Sequence, residues 1–234
     1  MHSKKILILG IGNLLWADEG FGVRAAERLN QLYEFPANVR LLDGGTQGLY
    51  LIQDIREAEV LIVFDAIDYD LPAGTLKVIE NNDVPKFMGV KKVSLHQTGF
   101  QEVLALAELT GDYPEKLLLI GVQPEELEDY GGSLRPVVKE RIQPAIEKAL
   151  EYLNHLGVSY SKRDKPLEIN EDYSSSALSM LNYESGRPSE DDAWRNGDER
   201  VLKSDDFMVT ESCAVSLGEN ALKIDIDHHL EKYR

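Results

Sequence analysis

The amino-acid sequence predicts an α/β fold: a doubly wound, mostly parallel twisted sheet with helices on both faces and one antiparallel edge strand. Three observations support that expectation. Short continuous apolar runs, "KILIL" (5–9), "VLIVF" (60–64) and "KLLLIGV" (116–122), have the character of strands buried on both faces. Between them lie stretches whose apolar residues recur at helical spacing. The two kinds of segment alternate through the first 158 residues, as in consecutive βα units.

Each element follows in order. "KILIL" closes at Gly10, and Phe21, Ala25, Leu29 and Leu32 then mark a helix over 20–33. "NVRLLDGGT" reads as a second strand ending at Asp43, and "GLYLIQDIREA" as a second helix. "AEVLIVFDAI" is the most apolar run, so it is expected at the centre of the sheet, ending at Asp65. "DYDLPAG" is too short to hold a crossover helix, so "TLKVIE" is expected to return antiparallel as an edge hairpin. Residues 81–99 are long enough to climb the length of a strand and bring His96 to the edge where Asp65 lies. Thr98 and Gln101 have capping-box spacing and open a third helix closed by Gly111. After the strand "KLLLIGV", the positions Val138, Ile142, Ala145, Ile146, Ala149, Leu150 and Leu153 mark one face of a last helix. Gly157 stops it, and Pro144 is expected to bend it.

Two domains are expected: an α/β domain over 1–158 and an acidic extension over 159–234. The extension reads as linker or disordered, with short elements near its end. After Arg163 there are 17 acidic and 8 basic residues, so more than half of the net charge of -16 lies there. Such a charge argues against nucleic acid and anionic lipid as partners, and favours basic peptides or metal ions. Cys213 is the only cysteine, so no intramolecular disulfide can form. There is no export signal and no apolar stretch long enough to span a membrane, so a cytoplasmic protein is expected.

"GIGNLLWADEGFG" (10–22) starts like a phosphate-binding loop. The dinucleotide fingerprint fails because Leu15 stands where its third glycine belongs, and the Lys-Ser/Thr ending of a P-loop is absent. Asp18 and Glu19 would also repel a pyrophosphate. A divalent metal suits the segment better. Doubly wound sheets bind ligands at the carboxyl ends of their strands, where Glu19, Asp43, Asp65 and His96 are all expected. Of these, Glu19, Asp65 and His96 supply two negative charges and one imidazole, which neutralise a divalent ion of nickel, zinc, iron or manganese and leave positions open.

Each residue also has a plain structural reading. Glu19 is an acid at a helix N-terminus, favoured by the dipole. Asp43 can cap the following helix, and His96 can be a surface or capping residue. Asp65 resists such a reading most, since an idle carboxylate ending an apolar strand is costly. Asp18 is expected to face solvent, and Trp16 and Tyr50 to line a groove or cover the core. His228 and His229 form only a weak metal pair, and no Ser-His-Asp arrangement stands out.

Six ordered blocks, "GIGNLLWADEGFGVR", "LLDGGTQGLYL", "LIVFDAI", "PAGTLKVI", "SLHQTGFQEVLALAELTG" and "LLLIGVQPEELE", resemble the [NiFe] hydrogenase maturation endopeptidases over residues 4–158. The resemblance implies an enzyme that removes the carboxyl-terminal extension of a hydrogenase large-subunit precursor, recognising nickel already inserted there. It implies that the acid of the D-E-G block, the aspartate of the F-D-A block and the histidine of the H-Q-x-G block form the metal site: Glu19, Asp65 and His96. It also marks Asp43, of the D-G-G-T block, as important; the role expected for it is to position the water or the substrate strand. Nickel supplied by the substrate is thus the expected metal, the precursor the expected partner, and a monomer the expected state. The alternatives are a noncatalytic assembly factor that holds the nickel-loaded precursor, and an enzyme of the nicotinamide type. The tail after residue 160 has no counterpart in the resemblance.

Overall fold

The first strand, β1 (Ile6–Ile11), is buried at all six positions. A 3-10 turn, Ala17–Gly20, leads into α1 (Phe21–Leu32). Then come a two-residue strand, β2 (Tyr33–Glu34), the strand β3 (Val39–Gly45), a 3-10 turn (Gly48–Leu51) and the short helix α2 (Ile52–Arg56). They are followed by β4 (Val60–Ala66), β5 (Leu76–Glu80), α3 (Leu95–Thr110) and β6 (Lys116–Val122). The helices α4 (Pro136–Lys139) and α5 (Ile142–His155), the short strand β7 (Ser161–Lys162) and the helix α6 (Met180–Gly186) complete the order. This is a computed structural model that describes residues 3–84, 95–167 and 178–186, all within one compact unit, Met1–Arg187.

Five strands form the sheet in the order β3-β1-β4-β6-β5, parallel except for β5. The order follows from burial. All seven residues of β4 are buried, and it takes the centre. β5 buries only Ile79, which suits an edge. The expected antiparallel edge strand is therefore present, but its partner differs: β5 pairs with β6, not with β4 as a hairpin would require. The reason is that β6 is itself buried from Leu117 to Val122 and occupies the slot beside β4, where both of its faces are covered.

Side chains alternate between two cores. Val60, Ile62, Phe64 and Ala66 join one core beneath α1 and α5. Leu61 and Val63 join the other, beneath α2 and α3. Burying each such side chain contributes roughly 1.5–3 kcal/mol, which holds the helices to the sheet.

Three further details depart from expectation. α3 begins at Leu95, so His96 lies inside its first turn and not in the loop before it. The apolar face from Val138 to Leu153 is divided between α4 and α5. Pro144 therefore falls in the first turn of α5, where no intrahelical N–H is needed, and it does not bend a helix. As expected, α3 and α5 end at Gly111 and Gly157, both with positive φ. The climbing segment over 85–94 lies outside the described residues, as do Cys213, His228 and His229.

Beyond residue 158, β7 pairs antiparallel with β2. Around α6, Arg24 Nη1 donates to the Leu178 carbonyl at 2.6 Å and to Glu27 Oε2 at 2.9 Å. Lys139 Nζ reaches Glu184 Oε2 at 2.7 Å.

Candidate active site

The chain runs from β1 to β3 on one side and then crosses to β4 on the other, so the order of strands reverses between β1 and β4. Doubly wound sheets open their ligand crevice at this point, outside the carboxyl ends of the strands. Glu19 stands in the turn that follows β1, half-buried. Asp65 is the last residue but one of β4 and is fully buried. The two acids thus border the crevice from neighbouring strands.

Gly12 makes the turn after β1 possible. Its φ of 141° suits glycine, and a Cβ there would lie 1.8 Å from the Glu19 carbonyl oxygen. The glycines of the loop therefore serve a close backbone passage beneath Glu19. The turn also holds Asp18, which sequence reading put in solvent and the structure buries completely. Its Oδ2 accepts the N–H groups of Glu125 and Glu126 at 2.8 and 2.9 Å, and its Oδ1 accepts that of Arg135 at 2.7 Å. A carboxylate with three such donors is at home in the interior. Trp16 and Tyr130 fasten the same two loops through a β-bridge and an edge-on ring pair with centroids 5.2 Å apart. Tyr50 is 87% exposed, so it does not cover the core.

Asp43 pairs in register with Gly10, placing it at the same rim. Its face differs. Val39 belongs to the α1-side core and Leu41 packs against it, while Leu42 packs on the other side, so alternation turns Asp43 toward α1. On β4 the same alternation turns Asp65 toward α3, with Leu61 and Val63. The rim therefore carries Asp43 and Asp65 on opposite faces, about 10 Å apart across two strand spacings. Burial pushes the Asp43 carboxyl above the ordinary aspartate value. The Gly45 amide opposes this, the Glu27 charge adds to it, and Arg24 opposes it more weakly. Asp43 Oδ1 has no hydrogen-bond partner among the described residues.

His96 opens α3, the helix that covers the face to which Asp65 turns. The start of that helix is close to the rim: a Cβ on Gly99 would be 3.2 Å from the Gly48 Cα, just beyond β3. The His96 side chain lies outside the described residues, among which no three His, Cys, Asp or Glu side chains form a metal-holding group. Asp65 Oδ1 accepts the Ala66 N–H at 2.8 Å. A carboxylate in the turn after β1, another near the end of β4 and a histidine in the first turn of α3 are residue types with the donor chemistry for a divalent ion.

Sequence reading missed the Asp18 clamp and the buried Arg24–Glu27 pair. Arg24 in the "GVRAAE" turn of an otherwise apolar helix face was the available signal for the pair. The clamp left none, because its donors are backbone groups more than 100 residues away.

Residues 23–152 match the family model of the hydrogenase maturation proteases. The chain is 61% identical over 200 residues to the hydrogenase expression/formation protein HupD of Thiocapsa roseopersicina, covering 86% of this chain and 90% of that one. It is 42% identical over 161 residues to the hydrogenase 2 maturation protease of Escherichia coli K12, covering 68% and 97%. The solved structure of the E. coli hydrogenase maturating endopeptidase HybD superposes with a TM-score of 0.65 at 41% identity, covering 68% of this chain and 98% of that one. No described helix is long and apolar enough to cross a membrane. With its sheet order and these relatives, the chain belongs to the hydrogenase maturation protease family.

Proposed function

We propose that this protein cuts the carboxyl-terminal extension from a nickel-loaded [NiFe] hydrogenase large-subunit precursor in the cytoplasm, and that the substrate's own nickel is its recognition element. The observation that carries the proposal is the crevice between β1 and β4, bordered by Glu19 and Asp65, with His96 in the first turn of the helix over the Asp65 face. Glu19, Asp65 and His96 complete the coordination of the precursor's nickel, and two carboxylates neutralise its charge. Docking in this way fixes the adjacent peptide bond, and a metal beside that bond polarises its carbonyl toward attack by water. Asp43, on the opposite face, holds the substrate strand or the water; its raised carboxyl and an Oδ1 with no hydrogen-bond partner among the described residues support a role in receiving a proton or an N–H group. Demanding an occupied nickel site delays an irreversible cut until metal insertion is complete.

Incubating the purified chain with nickel-loaded precursor tests this by mass. The expected result is loss of the extension with the parent chain and no loss with a folded His96→Ala variant. Normal cutting by that variant removes His96 from the ligand set. An intact precursor after long incubation with the parent replaces the protease with a noncatalytic holding factor.

A further inference from the structure

Tyr69 stands four residues past Asp65, and its ring packs on the α3-side core. Its hydroxyl lies over Gly121: a Cβ at 121 would be 2.3 Å from that oxygen, so any larger residue would expel it. Gly121 is the register partner of Asp65 on one side and of Lys77 on the other. The hydroxyl is therefore one strand away from Asp65, on the face to which Asp65 turns. Lys77 Nζ sits 5.3 Å from the Tyr69 ring centroid and holds the ring from the β5 side. The hydroxyl is buried and has no hydrogen-bond partner among the described residues. Burial, with the Asp65 charge adding to it, raises the phenol well above its ordinary value, so it remains a proton donor.

We propose that Tyr69 is a positioning residue for Asp65, its hydroxyl donating to the Asp65 carboxylate when the substrate's nickel takes that carboxylate as a ligand. The inference rests on the reading of Asp65 as a ligand given above. A ligating carboxylate needs a partner of its own to fix its rotation. The Ala66 N–H orients one oxygen from within β4, and a donor over Gly121 orients the group from the neighbouring strand.

Tyr113 supplies the control. Its hydroxyl is also buried without a hydrogen-bond partner among the described residues, but Tyr113 lies just before β6, at the end of the sheet away from the rim. Tyr69→Phe and Tyr113→Phe are compared in the full chain by melting, by titration with Ni2+, and by kcat and KM on nickel-loaded precursor. Both variants should melt no lower than the parent, since each loses only an unsatisfied hydroxyl. Tyr69→Phe should bind Ni2+ about 10-fold more weakly and lose about 10-fold in kcat, the scale for removing a partner of a metal ligand. Tyr113→Phe should match the parent in both. Parental binding and kcat in Tyr69→Phe, or an equal loss in Tyr113→Phe, would overturn the assignment. If the parent cleaves without holding free Ni2+, the kcat comparison decides alone. A parent that neither binds Ni2+ nor cleaves overturns the ligand reading of Asp65 itself, and Tyr69 falls with it.

Discussion

The turn after β1 and the end of β4 each bury an aspartate completely, and use it differently. Asp18 receives three backbone N–H groups from a loop more than 100 residues distant and ties that loop to the sheet. Asp65 receives the N–H of its own neighbour, Ala66, from within β4. Burial alone therefore does not mark a functional carboxylate. The difference on which the proposed function rests is one of place: a distant loop closes over Asp18, and Asp65 stands near the end of β4 beside the strand-order crevice.

Substitutions separate the two roles. Asp65→Asn keeps the shape and an acceptor for Ala66, so it should melt like the parent. Processing should fall about 1000-fold, the rate equivalent of several kcal/mol of metal-centred stabilisation. A processing rate within a few-fold of the parent would merge Asp65 with the structural class. Asp18→Ala should do the reverse. Leaving three buried N–H groups unsatisfied costs about 3 kcal/mol or more in urea unfolding, while the folded fraction still cuts precursor. Unchanged stability would refute the clamp.

Smaller effects sharpen the comparison. Ending the chain after Leu167 removes the Leu178 carbonyl from Arg24 and Glu184 from Lys139, which should lower stability by about 2 kcal/mol and leave the cut unchanged. A loss of processing by a well-folded truncation would give the extension a part in substrate docking. The smallest effect concerns Asp43. Its carboxyl is raised in the folded state, so the native protein holds that proton more tightly than the unfolded chain. Stability therefore declines as pH rises from the ordinary 3.8 toward the raised value, and the full cost is present above it. Asp43→Asn should match the parent below pH 3.8 and be the more stable protein at neutral pH. Urea midpoints across pH check this, and a parent that gains on the variant as pH rises would reverse the assigned direction.

Much of this rim was legible in the sequence because it depends on local patterns. Continuous apolar runs locate the strands, and the acids at or just after their ends, Glu19, Asp43 and Asp65, are candidates wherever those runs stop. Nonlocal pairing was not legible. The partner of β5 depends on where β6 inserts, and the burial of Asp18 depends on a loop at 125–135 that no local pattern connects to residue 18. The opposite facing of Asp43 and Asp65 requires the register of three strands, through Gly10 paired with both Asp43 and Phe64. The place of Pro144 turned on a helix boundary, the feature that periodicity defines least well.

The most direct test of a protease that reads its substrate's metal is the mass of one large-subunit precursor, prepared with and without nickel and exposed to this protein. Loss of the carboxyl-terminal extension is expected from the nickel-loaded form, and an unchanged mass for the nickel-free form. Equal cutting of both forms would contradict that expectation.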